Sequence, residues 1–241
     1  IKPPTLRLYS WAPPALSLGY SQQSSDVDFQ QLERFGWDMV RRPTGGKAIL
    51  HIDELTYSIS APAENPLVSG TLLESYQRIS AILQDALTRL GVTTSADHRY
   101  ADIPENAKTN PVCFEVPSNF EITHAGKKLV GSAQARKAGG VLQHGSLPLF
   151  GDLGRITFAL QFSSIADQEA AAQKVNARAA TLQQAAGRLI TWEEAAHALI
   201  LAFSAQPDVE VEMTQPDADE IHQAEELAQA KYAGQAWNNR L

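Results

Sequence analysis

The chain has 241 residues, 44% of them hydrophobic, which is enough to bury a substantial core, and one domain over residues 1–241 is expected. One cysteine excludes an intramolecular disulfide and gives no sign of a zinc site, no run reaches the roughly 18 to 20 apolar residues of a membrane helix, and Ile1-Lys2-Pro3-Pro4 does not open a signal peptide, so a soluble, cytoplasmic protein without a metal is expected. The formal net charge of −7 argues against nucleic-acid binding, but residues 189 to 230 hold ten acidic side chains and no Lys or Arg, and setting that −10 aside leaves +3, a body able to face an acidic partner.

Thr5 to Trp11 alternates in strand fashion, Pro13-Pro14 interrupts it, and Ala15 to Tyr20 reads as a second short strand, predicting a hairpin-like entry. Asp26 or Asp28 can cap a short helix through Phe29, Leu32 and Phe35 that Gly36 ends, and Trp37 to Arg41 then runs as a strand into a glycine loop. Ala48 to His51 and Leu55 to Ala61 read as paired strands, with Leu55, Tyr57 and Ile59 on one face. Leu72, Tyr76, Ile79, Leu83, Leu87 and Leu90 recur at the helical period, and Gly91 stops that helix before a polar, irregular stretch to Asn110. Asn119 to Thr123 and Lys128 to Ala135 look like strands joined at Ala125-Gly126, and Gly139-Gly140 leads into Val141 to His144. Helices are expected from Ile165 to Leu189 and Thr191 to Phe203, then a strand at Val209 to Met213 and a last helix from Pro216 to about Tyr232. Strands before residue 150 with helices following or flanking them predict an α+β fold, a mostly antiparallel mixed sheet flanked by helices.

Two clusters carry the chemistry. In the first, Arg41 to His51, Gly45-Gly46 offers backbone able to reach positive φ and approach a ligand closely, although the pair also suits an ordinary tight turn. The second runs from Lys127 to Arg136 and is followed by His144-Gly145-Ser146; alternation would put Lys128 and Val130 on one face of the strand and Leu129 on the other. Between them lies Cys113, bracketed by Pro111 and Pro117; a buried, inert thiol is the plain reading, and a loop thiol activated by a nearby cation the alternative. Lys128 is the preferred cation, able to hold a thiolate or an acyl oxyanion, unless it is simply paired with an acid. His51 and His144 suit a general base or a carbonyl donor, and equally a satisfied core histidine.

Arg-Arg-Pro-Thr-Gly-Gly at 41 to 46 with His51 resembles the acyl-binding loop of the superfamily of lipoate-protein ligases, biotin-protein ligases and octanoyltransferases of lipoate assembly. Lys128 to Arg136 resembles its lysine motif, and His144-Gly145-Ser146-Leu147 the strand that follows; the likeness covers most of the chain. Lys47 stands where ATP-dependent lipoate ligases usually carry a third glycine, and Cys113-Phe114 with Pro117-Ser118, like Gly131-Ser132-Ala133-Gln134, resembles the cysteine-dependent octanoyltransferases of the ligase A lineage. Two positions depart from related patterns: Ile52 replaces an aspartate often found after the loop histidine, with Asp53 adjacent, and no cysteine follows His144, where the other octanoyltransferase lineage has one.

The resemblance implies the fold of the biotin and lipoate ligase catalytic domain. It also implies that Cys113 takes an octanoyl group from octanoyl-acyl carrier protein as a thioester and that the lysine of a lipoyl domain, or of a glycine-cleavage H-type protein, then removes it. Lys128 would be catalytic beside Cys113; Arg41, Arg42, Thr44, Gly45, Gly46, His51, Gly131, Ser132, Ala133, His144 and Gly145 would bind substrate. No cofactor is implied, nor a nucleic-acid or membrane partner. Arg41, Arg42, Lys47, Lys127, Arg136 and Lys137 would receive the acidic carrier protein. Three other activities fit the same superfamily: an ATP-dependent lipoate or biotin ligase, an amidotransferase between lipoyl domains, and a non-catalytic lipoyl-domain or acyl-binding protein.

Overall fold

The computed structural model describes residues 3–97 and 121–240, with the backbone alone at 96 and 97. Cys113 and the segment around it lie outside the described residues.

The strands are β1 (Thr5–Tyr9), β2 (Ala15–Leu18), β3 (Asp38–Arg41), β4 (Ile49–His51), β5 (Glu54–Pro62), β6 (Ser95–Asp97), β7 (Glu121–His124), β8 (Lys127–Lys137) and β9 (Gly140–Pro148). The helices are α1 (Phe29–Phe35), α2 (Leu72–Arg89), α3 (Ile165–Arg178), α4 (Leu182–Ala186), α5 (Trp192–Ser204), α6 (Ala218–Leu227) and α7 (Gln235–Asn238). Six strands form an antiparallel sheet in the order β1-β5-β9-β8-β7-β6; β3-β2-β4 form a second, mixed sheet in which β2 runs parallel to β3 and antiparallel to β4. The mostly antiparallel α+β architecture expected from the sequence is present, divided between two sheets.

The period of two along β5 sets the layers. Leu55, Tyr57 and Ile59 enter a core with Ile79, Leu83 and Leu87 of α2 and Leu199 and Phe203 of α5, while Thr56 and Ser58 turn to the opposite face, where Ser146 and His144 stand across from them on β9. A second core, with Leu16, Leu18, Leu32, Ile156, Leu160 and Val175, backs the three-stranded sheet. Alternation on β2 then places Ala15 and Ser17 on the face away from that core, toward the larger sheet. Three helix-end signals stand as expected: Asp28 accepts from the Gln31 amide at the start of α1, Gly36 closes it at φ 65°, and Gly91 follows α2 at φ 81°; the structure adds a Thr71 and Glu74 capping box on α2.

Four expectations are corrected. β1 and β2 do not form a hairpin, since β1 pairs with β5 and β2 lies in the other sheet; Pro13-Pro14 removes two backbone donors and carries the chain across. β4 and β5 are not partners either: Asp53, at φ 52°, turns the chain from the smaller sheet into the larger one. The helix read over 165–189 is broken at Ala179, which is extended; the Ala180 N–H bonds the Lys128 carbonyl, and Thr181 with Gln184 caps a new helix, so a tertiary bond overrides an alanine-rich helical sequence. Val209 to Met213 is not a strand; it is exposed and joins neither sheet, and its alternation with acids reflects no buried face. Among the described residues no helix is long and apolar enough to cross a membrane.

Candidate functional site

The two clusters meet in one cavity between the sheets. Ser17, Ile49 and His51 line it from the smaller sheet, Arg42, Gly45 and Gly46 from the loop after β3, and Gly131 to Ala133 and His144 to Ser146 from β8 and β9. Its open interior is about 20 Å³, room for about one water, so a longer chain enters only if the walls part.

A polar network organises the floor. Glu54, 5% exposed, accepts hydrogen bonds from His51 Nδ1 at 2.7 Å, from Thr56 Oγ1 and from Ser146 Oγ; Thr56 Oγ1 in turn accepts from Trp11 Nε1 at 3.0 Å. With the carboxylate accepting on both oxygens, Nδ1 is the donor of the imidazole and Nε2 its acceptor, toward which Ser17 Oγ donates at 2.7 Å. Trp11 stacks on His51 with ring centroids 4.3 Å apart and planes 16° from parallel, fixing the plane of the ring. Arg42 Nη1 donates to Ser17 Oγ at 3.2 Å and to the Ser17 carbonyl at 2.9 Å, and Nη2 ties the loop through the carbonyls of Gly45 and Lys47.

Thr44 Oγ1 meets His144 Nε2 at 2.6 Å, pinning the loop to β9. Burial, with Arg42 and His51 adding to it, pushes the His144 imidazole down to about 3, so it is neutral at physiological pH. The loop also needs Gly19, because a Cβ there would lie 1.8 Å from the Gly46 carbonyl oxygen. Of the two loop glycines Gly46 alone takes positive φ, at 95°; a Cβ on Gly45 would meet nothing within 4 Å. On β9, a Cβ on Gly145 would lie 2.5 Å from the Tyr57 ring, whose hydroxyl reaches Ser132 Oγ at 2.7 Å.

Several residues singled out in the sequence stand elsewhere. Arg41 is 1% exposed and does not line the cavity; its guanidinium donates to the carbonyls of Gly19, Tyr20, Gln22 and Asn238, anchoring the C-terminal segment to β3. Arg41 and Arg42, both buried, therefore offer no surface to an acidic carrier protein, a correction that follows from their burial and from guanidinium groups turned inward onto backbone carbonyls. Arg136 is exposed but holds the carbonyls of Val68, Gly70 and Thr71 ahead of α2. Lys128 is buried, with Nζ 2.6 Å from Glu121 Oε1. A register shift at Ile122/Thr123 pairs Lys128 with Thr123 and Val130 with Ile122, so Leu129 is the extra residue and joins Val130 in the main core; the alternation expected across Lys128 to Val130 is broken by this bulge. Asp53 does not take the place of the aspartate expected after His51, since it bonds Arg155 at 2.7 Å, and Glu54 is the carboxylate on the imidazole.

Ser17 and Glu54 were not among the residues read from the sequence as functional. The spacing of His51 and Glu54, three apart, is the signal that could have found the carboxylate; Ser17, in an apolar strand, carries none.

The family described as "Lipoyl protein ligase A/B catalytic domain" matches residues 1–204. A protein of Kyrpidia tusciae named octanoyltransferase LipM is 39% identical over 245 residues, covering 99% of this chain and 88% of that protein. One of the same name from Carboxydothermus hydrogenoformans is 36% identical over 238 residues, covering 97% and 86%. Among solved structures, a bi-partite lipoate protein ligase and its E2 lipoyl domain from Thermoplasma acidophilum aligns at TM-score 0.80 with 21% identity, covering 98% of this chain and 84% of that one. A lipoate-protein ligase A bound with ATP aligns at 0.76 with 23% identity, covering 98% and 85%. At those identities the structures speak for the fold alone.

Proposed function

Because the chain belongs to the lipoyl protein ligase A/B catalytic-domain family, we propose that it is an octanoyltransferase of lipoate biosynthesis and that it carries the octanoyl group as a thioester on Cys113. The observation that carries the activity is the likeness to octanoyltransferases along almost the whole chain. The thioester is supported by chemistry: Cys113 is the only cysteine, and a thioester-to-thioester exchange followed by amide formation needs no outside energy source.

The Cys113 thiolate attacks the carbonyl of octanoyl-acyl carrier protein and the carrier's thiol leaves. The amine of a lipoyl-domain lysine then attacks the new thioester, and the Cys113 sulfur leaves as the amide forms. Lys128 is buried on β8, three residues before Gly131 of the cavity wall, with Nζ on Glu121 at 2.6 Å; to orient the carbonyl and favour the thiolate it must exchange that carboxylate for the reacting group. Arg42, Thr44 and His144 hold the loop that covers the acyl site, with the backbone of Gly45, Gly46 and Gly131 to Ala133 around it. The acidic carrier meets Lys47, Lys127 and Lys137, the lysines of the expected patch.

Intact mass after incubation with octanoyl-acyl carrier protein tests the reading. The wild type gains one octanoyl group and Cys113→Ala gains none and does not transfer. Turnover without an adduct, or transfer by Cys113→Ala, would overturn the thioester; dependence of transfer on ATP would replace it with an adenylate route.

A further inference from the structure

We propose that Ser17, His51 and Glu54 form a second nucleophilic centre in the cavity, at which Ser17 accepts a short acyl group from a thioester or activated ester and releases it to water. This activity is separate from transfer through Cys113 and does not rest on that reading. Ser17 Oγ donates to His51 Nε2 at 2.7 Å, and His51 Nδ1 donates to Glu54 Oε1 at 2.7 Å. A base hydrogen-bonded to a hydroxyl and itself oriented by a carboxylate is the arrangement that activates a serine.

Three features fit this role better than a packing role. Glu54 is fixed by Thr56 and Ser146 as well as by His51, so the tautomer leaving Nε2 free to accept is imposed from behind the ring. Arg42 Nη1, at 3.2 Å from Ser17 Oγ, places a positive charge where an alkoxide would develop and leaves the oxygen a lone pair for attack. Finally, the hydroxyl and its base are set by adjacent strands, Ser17 opposite Ile49 and His51 opposite Ala15, and Ser17 itself lines the cavity. The interior holds about one water as it stands, so any acyl group reaches Ser17 only as the walls part, and a short one needs the least opening.

In the first step the Ser17 Oγ–carbonyl bond forms, the hydroxyl proton passes to His51 Nε2, the carbon–sulfur bond breaks, and the thiolate leaves with that proton. In the second, water attacks the ester and gives its proton to Nε2, which returns it to the departing Ser17 Oγ. The products are a thiol and a carboxylic acid.

The full chain carrying Cys113→Ala, in which the cysteine route is absent, is treated with a small ethoxyfluorophosphonate and analysed by intact mass and peptide mapping; hydrolysis of p-nitrophenyl acetate is followed in parallel. The expected result is a single adduct on Ser17, loss of both adduct and hydrolysis in the added Ser17→Ala variant, and labelling at least about 100-fold slower with His51→Gln. Glu54→Gln should lower the maximal labelling rate without weakening probe binding, a split that a purely structural role would not give. An unlabelled Ser17 in the folded Cys113→Ala chain, or hydrolysis undiminished by Ser17→Ala, overturns the proposal. Because the cysteine is already gone, neither outcome bears on the Cys113 thioester.

Discussion

Glu54 accepts from His51 Nδ1 at 2.7 Å, and this contact ties the two sheets together: His51 is the last residue of β4 in the smaller sheet, and Glu54 is the first of β5 in the larger. The cavity exists because the chain changes sheets over two residues, Ile52 and Asp53, and the carboxylate holds the seam closed.

Glu54→Ala would leave His51, Thr56 and Ser146 with buried donors and no acceptor. A loss of about 3 kcal/mol is expected, the range for breaking a buried, multiply bonded charged group. Urea unfolding should show a lower midpoint with an unchanged slope; a midpoint within error of wild type would mean that the network contributes nothing net.

Gly19 and Gly45 make opposite predictions within one site. A Cβ on Gly19 collides with the Gly46 carbonyl oxygen, so Gly19→Ala must push the loop off β9, and octanoyl transfer should fall by about 100-fold in kcat/KM, the scale expected for a displacement of about 1 Å. Gly45→Ala, with open space around its Cβ and no positive φ, should stay within about threefold of wild type. Equal losses in the two variants would show that the loop backbone is not positioned by this contact.

Local chemistry was legible in the sequence wherever neighbours in the chain decide it. Asp28 and Gly36 around α1 and Gly91 after α2 were readable because caps act over three or four residues. The convergence of Arg42 to His51 with Gly131 to Ser146 was legible through resemblance, since a motif carries its geometry with it. Sheet membership was not: Ala48 to His51 and Leu55 to Ala61 look like hairpin partners, and only the pairing of β4 with β2 and of β5 with β1 and β9 separates them. Ser17 was hidden for the same reason, because a serine among Ala15, Leu16 and Leu18 gains meaning only when β2 brings it to His51. The doubled arginine misled in a third way, since charge in a sequence does not reveal that Arg41 will be spent on the carbonyls of Gly19 and Asn238.

Adjacent cations at the end of β8 should separate docking from folding. Arg136 holds the turn before α2 through the carbonyls of Val68 and Gly70, so Arg136→Ala should cost roughly 1 to 2 kcal/mol of stability. Lys137 is exposed, and Lys137→Glu should leave the melting temperature unchanged while lowering kcat/KM with octanoyl-acyl carrier protein several-fold at low salt and less at high salt. A salt-independent effect of Lys137→Glu would remove this lysine from the carrier surface.

His144 should make the fold sensitive to mild acid. Its imidazole is pushed down to about 3 by burial, Arg42 and His51, whereas in the unfolded chain it titrates near its ordinary value of about 6.5. Above that value both states are neutral and the group adds nothing to the pH dependence. As pH falls from about 6.5 toward 3 the unfolded chain takes up a proton that the folded chain refuses, so stability declines by about 1.4 kcal/mol per pH unit from this residue. His144→Gln cannot be protonated and keeps an acceptor for Thr44 Oγ1. Between pH 7.5 and 5 the variant should therefore lose about 2 kcal/mol less stability than the wild type in paired urea titrations, and parallel losses would show that His144 is not held neutral by the folded site.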